Sequence, residues 1–307
     1  MTDITLYYSQ KSFYCHRIRI GLEEKGLSYD ERRINLGNLE NYSPSFLQVN
    51  PDGQVPTLKH GDKIVTESEK ILRYLDNAFP DTTKLFPDPS SEEGEQCEYY
   101  ISLANKVDLD TLSLGVPVHA DFEKCEIKSD YPTSAFRHLI RVFRSNGPEM
   151  CEKLAEENPQ MKEVYMKHKD WLSNLNDEVN EVTFGTAVAL CDDVISKLEI
   201  ELERRKVELS DNDGEIWLCG EKFTAADIYW STTLNGLYDL GLETRYWAEG
   251  KRPQVAAYFE RARNHKAFLE TTPNMREAAT TKDVKLDVNN KSTDGGTQCC
   301  PFICVII

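Results

Sequence analysis

Basic residues are in short supply. Lys plus Arg number 36 against 52 Asp plus Glu, a net charge of −16 over 307 residues. Nucleic-acid binding needs the reverse balance, because cations must replace phosphate counterions. The same deficit argues against broad adhesion to anionic lipid. Long apolar runs are missing too: no stretch approaches the roughly 18 residues that a spanning helix needs. The N-terminus, Met1-Thr2-Asp3-Ile4, has neither a basic region nor an apolar segment, so no secretory signal is expected. Of nine cysteines, six are scattered (Cys15, Cys97, Cys125, Cys151, Cys191 and Cys219), and no two of these six form a C-x-x-C pair. A zinc site therefore has little support. An odd cysteine total without a signal reads as reduced cytosolic thiols, not a disulfide framework. His119 and His138 also lack partners at ligand spacing, so no metal is expected.

What is present is enough chain for two domains with cores stable without cross-links. Apolar residues make up 40% and charged residues 29%, a globular balance and not a disordered one. Residues 3–8 are β-prone. Residues 14–25 carry Ile18, Ile20 and Leu22 and end in Lys25-Gly26, the pattern of a helix with a glycine stop. Ser28 to Asn35 is a second strand. Val55 to Leu58 and Lys63 to Thr66 flank His60-Gly61-Asp62, a hairpin. Glu67 to Ala78 has helical apolar spacing at Ile71, Leu72 and Leu75. The resulting β-α-β-β-α order closes with a linker, Pro87-Asp88-Pro89-Ser90-Ser91. Helical periodicity dominates from Glu92 onward. One helix is expected over Gln96 to Leu109, irregular chain over 111–135, and an amphipathic helix over Ala189 to Val207. Thr224-Ala225-Ala226-Asp227 is a capping box opening another, and Tyr258 to Phe268 is the last periodic segment. The chain then turns polar and reads as a disordered tether over roughly residues 274–298.

Three stretches carry a resemblance. They are Asn50-Pro51-Asp52-Gly53-Gln54-Val55-Pro56-Thr57-Leu58, the pair Glu67-Ser68 at a helix start, and Trp217-Leu218-Cys219-Gly220-Glu221-Lys222-Phe223-Thr224-Ala225-Ala226-Asp227-Ile228. Together they resemble the glutathione transferase superfamily. The implied fold is an α/β thioredoxin-like N-terminal domain over residues 1–80 and an all-α C-terminal domain over 92–270. Lys153 to Pro159, Glu201 to Arg205, and Gly250-Lys251-Arg252-Pro253 resemble, more narrowly, the branch of ganglioside-induced differentiation-associated proteins. An insertion at about 111–175 belongs to the same likeness. That branch ends in an apolar spanning helix, which has no counterpart here.

The resemblance implies glutathione as the ligand and assigns roles to particular residues. Pro56 is expected to follow a cis bond, leaving the Val55 backbone free to pair with a peptide as a strand edge does. Gln54 lies beside it. Ser68, at a helix N-terminus, would meet the glutamyl carboxylate, and Glu67 the glutamyl amine. Ser12 occupies the position of the catalytic Ser or Cys in several transferase classes. Its hydroxyl would favour the glutathione thiolate, or it is simply an N-cap. Tyr7 and Tyr8 are rivals for that task. Cys15 stands where thioredoxin-like folds keep a resolving thiol, but no first cysteine precedes it.

Cys304-Val305-Ile306-Ile307 reads as a C-a-a-X box whose bulky last residue leans towards geranylgeranyl. One lipid binds marginally, and the charges of the 274–307 tail are balanced, so palmitate on Cys299 or Cys300 is the expected second anchor. Two functions follow. One is a membrane-tethered, glutathione-transferase-like protein acting on organelle membranes, with the resemblance pointing to mitochondrial network shape and fission. It would sit on the cytosolic face of a membrane, which the resemblance makes the mitochondrial outer membrane, or otherwise in the cytoplasm, and use the 111–175 insertion to meet a protein partner. The alternative is a transferase conjugating glutathione to apolar electrophiles in a cleft between the domains. A homodimer is a further candidate assembly.

Overall fold

A computed structural model describes residues 3–36, 40–128, 132–208 and 217–272. Cys299, Cys300 and Cys304, and the tether expected before them, lie outside the described residues. The first unit runs β1 (Ile4–Tyr8), α1 (Phe13–Glu24), β2 (Asp30–Arg33), a 3₁₀ turn at Glu40–Tyr42, α2 (Pro44–Leu47), β3 (Thr57–His60), β4 (Lys63–Thr66) and α3 (Ser68–Ala78). The sheet order is β2-β1-β3-β4, with β1 and β2 parallel and the other pairs antiparallel. This is the thioredoxin-like arrangement expected from the sequence. Alternation in β1 buries Ile4, Leu6 and Tyr8 on one face. Gly26, at φ 62°, stops α1 as its place after Lys25 predicts.

The second unit is helical: α4 (Glu92–Ala104), α5 (Leu109–Gly115), α6 (Thr133–Glu157), α7 (Lys162–Glu178), α8 (Glu181–Glu208), α9 (Ala225–Asp239), α10 (Glu243–Tyr246), α11 (Pro253–Asn264) and α12 (Lys266–Thr271). Boundaries differ from the periodicity where side-chain caps intervene. The segment expected as one helix over 96–109 is two. Ser91 Oγ accepts the Gly94 N–H at 3.1 Å and starts α4 early, and Asp108 Oδ1 accepts the Thr111 N–H at 2.9 Å to open α5. Asn180 Oδ1 accepts from Val182 and Thr183, so α8 begins eight residues before Ala189. His265 is extended (φ −64°, ψ 137°) and splits the last periodic segment into α11 and α12.

The 111–135 stretch, expected to be irregular, is tied down by one side chain. Buried Arg137 donates to the carbonyls of Val116, Pro117, Phe122, Glu123 and Cys125. Leu109, Leu112, Val116 and Phe122 pack into the main core. The α6–α7 hairpin carries a second core, in which Phe136, Ile140, Phe143, Cys151, Leu172 and Leu175 pack together with Leu114 of α5 and Ile127.

The two units are joined through α1. Buried Arg17 donates to Thr232 (3.1 Å) and Thr233 (3.2 Å) of α9 and lies over the Tyr229 ring. His16 meets Thr271 of α12 at 3.0 Å. The capping box forms as predicted: Asp227 accepts the Thr224 N–H at 3.0 Å, and also the Leu218 N–H and the Tyr258 hydroxyl, each at 3.0 Å.

Candidate functional site

The Asn50–Leu58 turn is built by its own polar side chains. Asn50 Oδ1 accepts the Asp52 N–H at 3.1 Å, while Asn50 Nδ2 donates to the Gln54 carbonyl (2.9 Å) and to Thr57 Oγ (3.0 Å). Thr57 Oγ donates to the same Gln54 carbonyl at 2.9 Å. Gly53 has φ 64°, a conformation that costs glycine little. The Val55–Pro56 bond is cis. Among the described residues, no hydrogen bond takes up the Val55 backbone. Val55 and Pro56 have buried side chains, and Gln54 is exposed beside them. A backbone donor and acceptor left unpaired next to a fixed turn is the arrangement that accepts an extended peptide by strand-like pairing.

The N-terminus of α3 lies across β3 and β4 from that turn; Thr57 pairs with Thr66, directly before Glu67. Glu67 has φ 66° and ψ 121°, an unusual state for a non-glycine residue. Such strain costs about 1–3 kcal/mol and persists where the surroundings hold it. Its side chain makes no capping hydrogen bond. Ser12 and Ser43, by contrast, cap α1 and α2. The first N–H groups of α3, beside the half-buried Ser68 hydroxyl, are thus open to an anion. These features fit a glutathione-like tripeptide, with backbone pairing at Val55 and a carboxylate at α3.

Ser12 is the N-cap of α1: its Oγ accepts the Cys15 N–H at 3.3 Å. Capping uses the oxygen as an acceptor and does not consume the hydroxyl proton; the same hydroxyl stands beside the Cys15 thiol. Tyr8 does not point to the same place. It is buried, its hydroxyl donates to Glu31 at 2.9 Å, and Arg19 lies over its ring. Burial, then the bond to Glu31, push its pKa up to about 12. Tyr7, on the opposite face of β1, rests its ring against Phe46 of α2. Cys15 is fully buried, and burial raises its thiol to about 12, the state of a structural cysteine. Among the described residues, no cluster of three or more His, Cys, Asp or Glu is placed to hold a metal ion.

Two contributors were invisible in the sequence because they come from far along the chain. The tip of the α6–α7 hairpin packs on the α2 region: Tyr165 donates to the Tyr42 carbonyl at 2.7 Å, and His168 lies against Tyr42 and Gly53. No local pattern marks either residue. Between α1 and α5, the Tyr14 hydroxyl donates to Asp110 at 3.1 Å.

Comparison with known proteins agrees with this geometry. Residues 6–83 match the family model for the glutathione S-transferase N-terminal domain, and residues 192–266 match that for the C-terminal domain. The human ganglioside-induced differentiation-associated protein 1-like 1 is 29% identical over 269 residues, covering 87% of this chain and 72% of the relative. Among solved structures, a beta-etherase from Sphingobium sp. strain SYK-6 superposes with a TM-score of 0.60 at 21% identity, covering 88% of this chain and 98% of its own. Ure2p in complex with glutathione superposes with a TM-score of 0.58 at 17% identity over the same shares. These structural likenesses speak to the fold.

Proposed function

Since the chain belongs to the glutathione transferase superfamily and is related to the ganglioside-induced differentiation-associated proteins, we propose that its thioredoxin-like domain binds glutathione. The unpaired Val55 backbone beside cis-Pro56 carries this reading. Val55 takes the peptide backbone, and the uncapped α3 N-terminus with Ser68 takes the glutamyl carboxylate. Glu67 faces the glutamyl amine, and Gln54 lines the side of the turn. Ser12 donates to the sulfur and, with the α1 N-terminus, favours the thiolate. The thiolate then attacks an apolar electrophile: its sulfur forms the new bond to carbon, and either a leaving group departs with the electrons of the broken bond or, in an addition, the displaced π pair takes up a proton from solvent. Reduced glutathione titrated into the full chain tests binding. Thiolate absorbance followed against pH tests activation, with Ser12→Ala expected to raise the bound thiol's pKa; an unchanged pKa would remove Ser12 from the mechanism.

The hairpin favours a second reading, in which the protein acts on organelle membranes and α6 and α7 meet a protein partner. It rests on the likeness to the ganglioside-induced differentiation-associated branch, from which the mitochondrial outer membrane and fission are carried over. Tethering would run through lipid on Cys304 with Cys299 or Cys300. Organelle shape in cells expressing Cys304→Ser tests it; an effect equal to that of the unaltered chain would contradict tethering.

A further inference from the structure

The α6–α7 hairpin packs around a core separate from the main one, yet its tip is not left free. Tyr42 and Leu47 of the α2 region join Ala155 and Tyr165 of the hairpin in a separate buried cluster. The Tyr165 hydroxyl, fully buried, donates to the Tyr42 carbonyl at 2.7 Å. One residue reaches further. The His168 ring stands edge-on to the Tyr42 ring at 4.8 Å. It also roofs Gly53 so closely that a Cβ there would meet His168 Nε2 at 3.2 Å. The Pro51 backbone lies beside the same ring. Asn41 holds the other side of the same residue, its Nδ2 donating to the Gly53 carbonyl at 3.0 Å. His168 is 9% exposed, and its Nε2 is buried without a partner. Lys167 and Asp52 add an exposed ion pair at 2.8 Å, which contributes little.

The braced turn leads directly into Gln54, Val55 and Pro56. We propose that the insertion is a second support of the glutathione site and that His168 is a positioning residue, holding the Pro51–Gly53 turn so that the Val55 backbone is set for pairing. This deepens the glutathione reading and rests on it. Docking of the hairpin and occupation of the site are then coupled, and the coupling is reciprocal. A macromolecule that pulled the hairpin away would lower glutathione affinity, and bound glutathione would hold the hairpin down.

A pH dependence follows from the same contact. A buried imidazole with no acceptor at Nε2 resists the second proton, and burial lowers its pKa below the ordinary 6.5. Around it stand Lys167 on its own helix, Asp52 on the turn, and the Tyr42 and Tyr165 phenols. Cys151 and Glu157 of α6 stand near enough to those phenols to act on them electrostatically, and the Lys169–Glu152 ion pair links α7 to α6. As pH falls below 6.5, the undocked histidine takes a proton that the docked one refuses, so docking weakens; above 6.5 both are neutral and nothing changes.

The test is calorimetric titration of reduced glutathione into the full chain as wild type, His168→Ala, His168→Asn and Tyr165→Phe, between pH 5 and 8. Melting curves report that each variant folds. His168→Ala is expected to weaken binding about fivefold or more at pH 7.5 and to speed amide exchange at Gly53. His168→Asn keeps a planar polar group over Gly53 but cannot titrate, so it should restore part of the affinity and flatten the profile below pH 6.5. Tyr165→Phe loosens the same dock through a different atom and should weaken binding in the same direction. Wild-type binding with equal affinity in all variants would overturn the positioning role alone. No binding by the wild type would overturn the glutathione reading and this inference with it, a result distinct from the first.

Discussion

Ser12 shows how one hydroxyl can hold two assignments. Its oxygen accepts the Cys15 N–H, which accounts for its place before α1, and in the proposed mechanism its proton turns from the neighbouring Cys15 thiol to the sulfur of glutathione. Ser12→Ala should therefore cost about 1 kcal/mol of stability as a lost cap and lower thiolate formation. Ser12→Thr should keep the cap, which thermal melts and thiolate absorbance together distinguish. Tyr8→Phe is the opposite case. Its hydroxyl is committed to Glu31, away from the turn, so glutathione affinity should stay unchanged within about twofold, a shift under roughly 0.5 kcal/mol; a larger loss would return Tyr8 to the site. The sequence could nominate Ser12, Tyr7 and Tyr8 but could not rank them, because strand alternation says only that neighbouring tyrosines face opposite ways. It was the partner on β2, 23 residues on, that decided where Tyr8 points.

At the scale of elements, local signals were read well where they are chemically self-contained. The β-α-β-β-α order, the Gly26 stop, the hairpin at Gly61-Asp62 and the Thr224–Asp227 box all depend on residues within a few positions of one another. Helix ends around 91–109 and 180 were less legible, since caps such as Ser91 and Asn180 outrank apolar spacing. The short helix at 44–47 left no apolar period to read. Asp227 is fully buried and satisfies three elements at once. Asp227→Ala leaves those donors orphaned and should cost roughly 3 kcal/mol or more, measurable by urea unfolding. His16 sits on the α1–α12 seam, where burial first, then Arg19, lower its pKa to about 3. Below pH 6.5 the unfolded chain binds a proton that the folded one does not, so stability should fall steadily towards pH 3. In His16→Asn that part of the acid decline should disappear from melting temperatures taken across the range.

Across the whole molecule, two units share α1 and an insertion folds back onto the turn that heads the candidate site. The first unit and its turn were legible, because motif and fold are local there. The hairpin's reach was not, since Tyr42–Tyr165 and Gly53–His168 join residues more than a hundred positions apart. The insertion also proved shorter as an independent element than its span in sequence, with Leu109, Leu112, Val116 and Phe122 belonging to the main core and Leu114 to the hairpin's. Removing 111–175 would therefore strip Leu112, Val116 and Phe122 from that core. A deletion confined to the distal part of the α6–α7 hairpin, keeping Arg137 and the carbonyls it holds, is the cleaner probe of partner binding. The measurement that bears most directly on the account is calorimetric titration of reduced glutathione into the full-length chain at pH 7.5. The account predicts saturable binding, weakened by Ser68→Ala at the uncapped α3 terminus. Failure to saturate with glutathione raised to about 10 mM, a binding free energy weaker than roughly 3 kcal/mol, would contradict it.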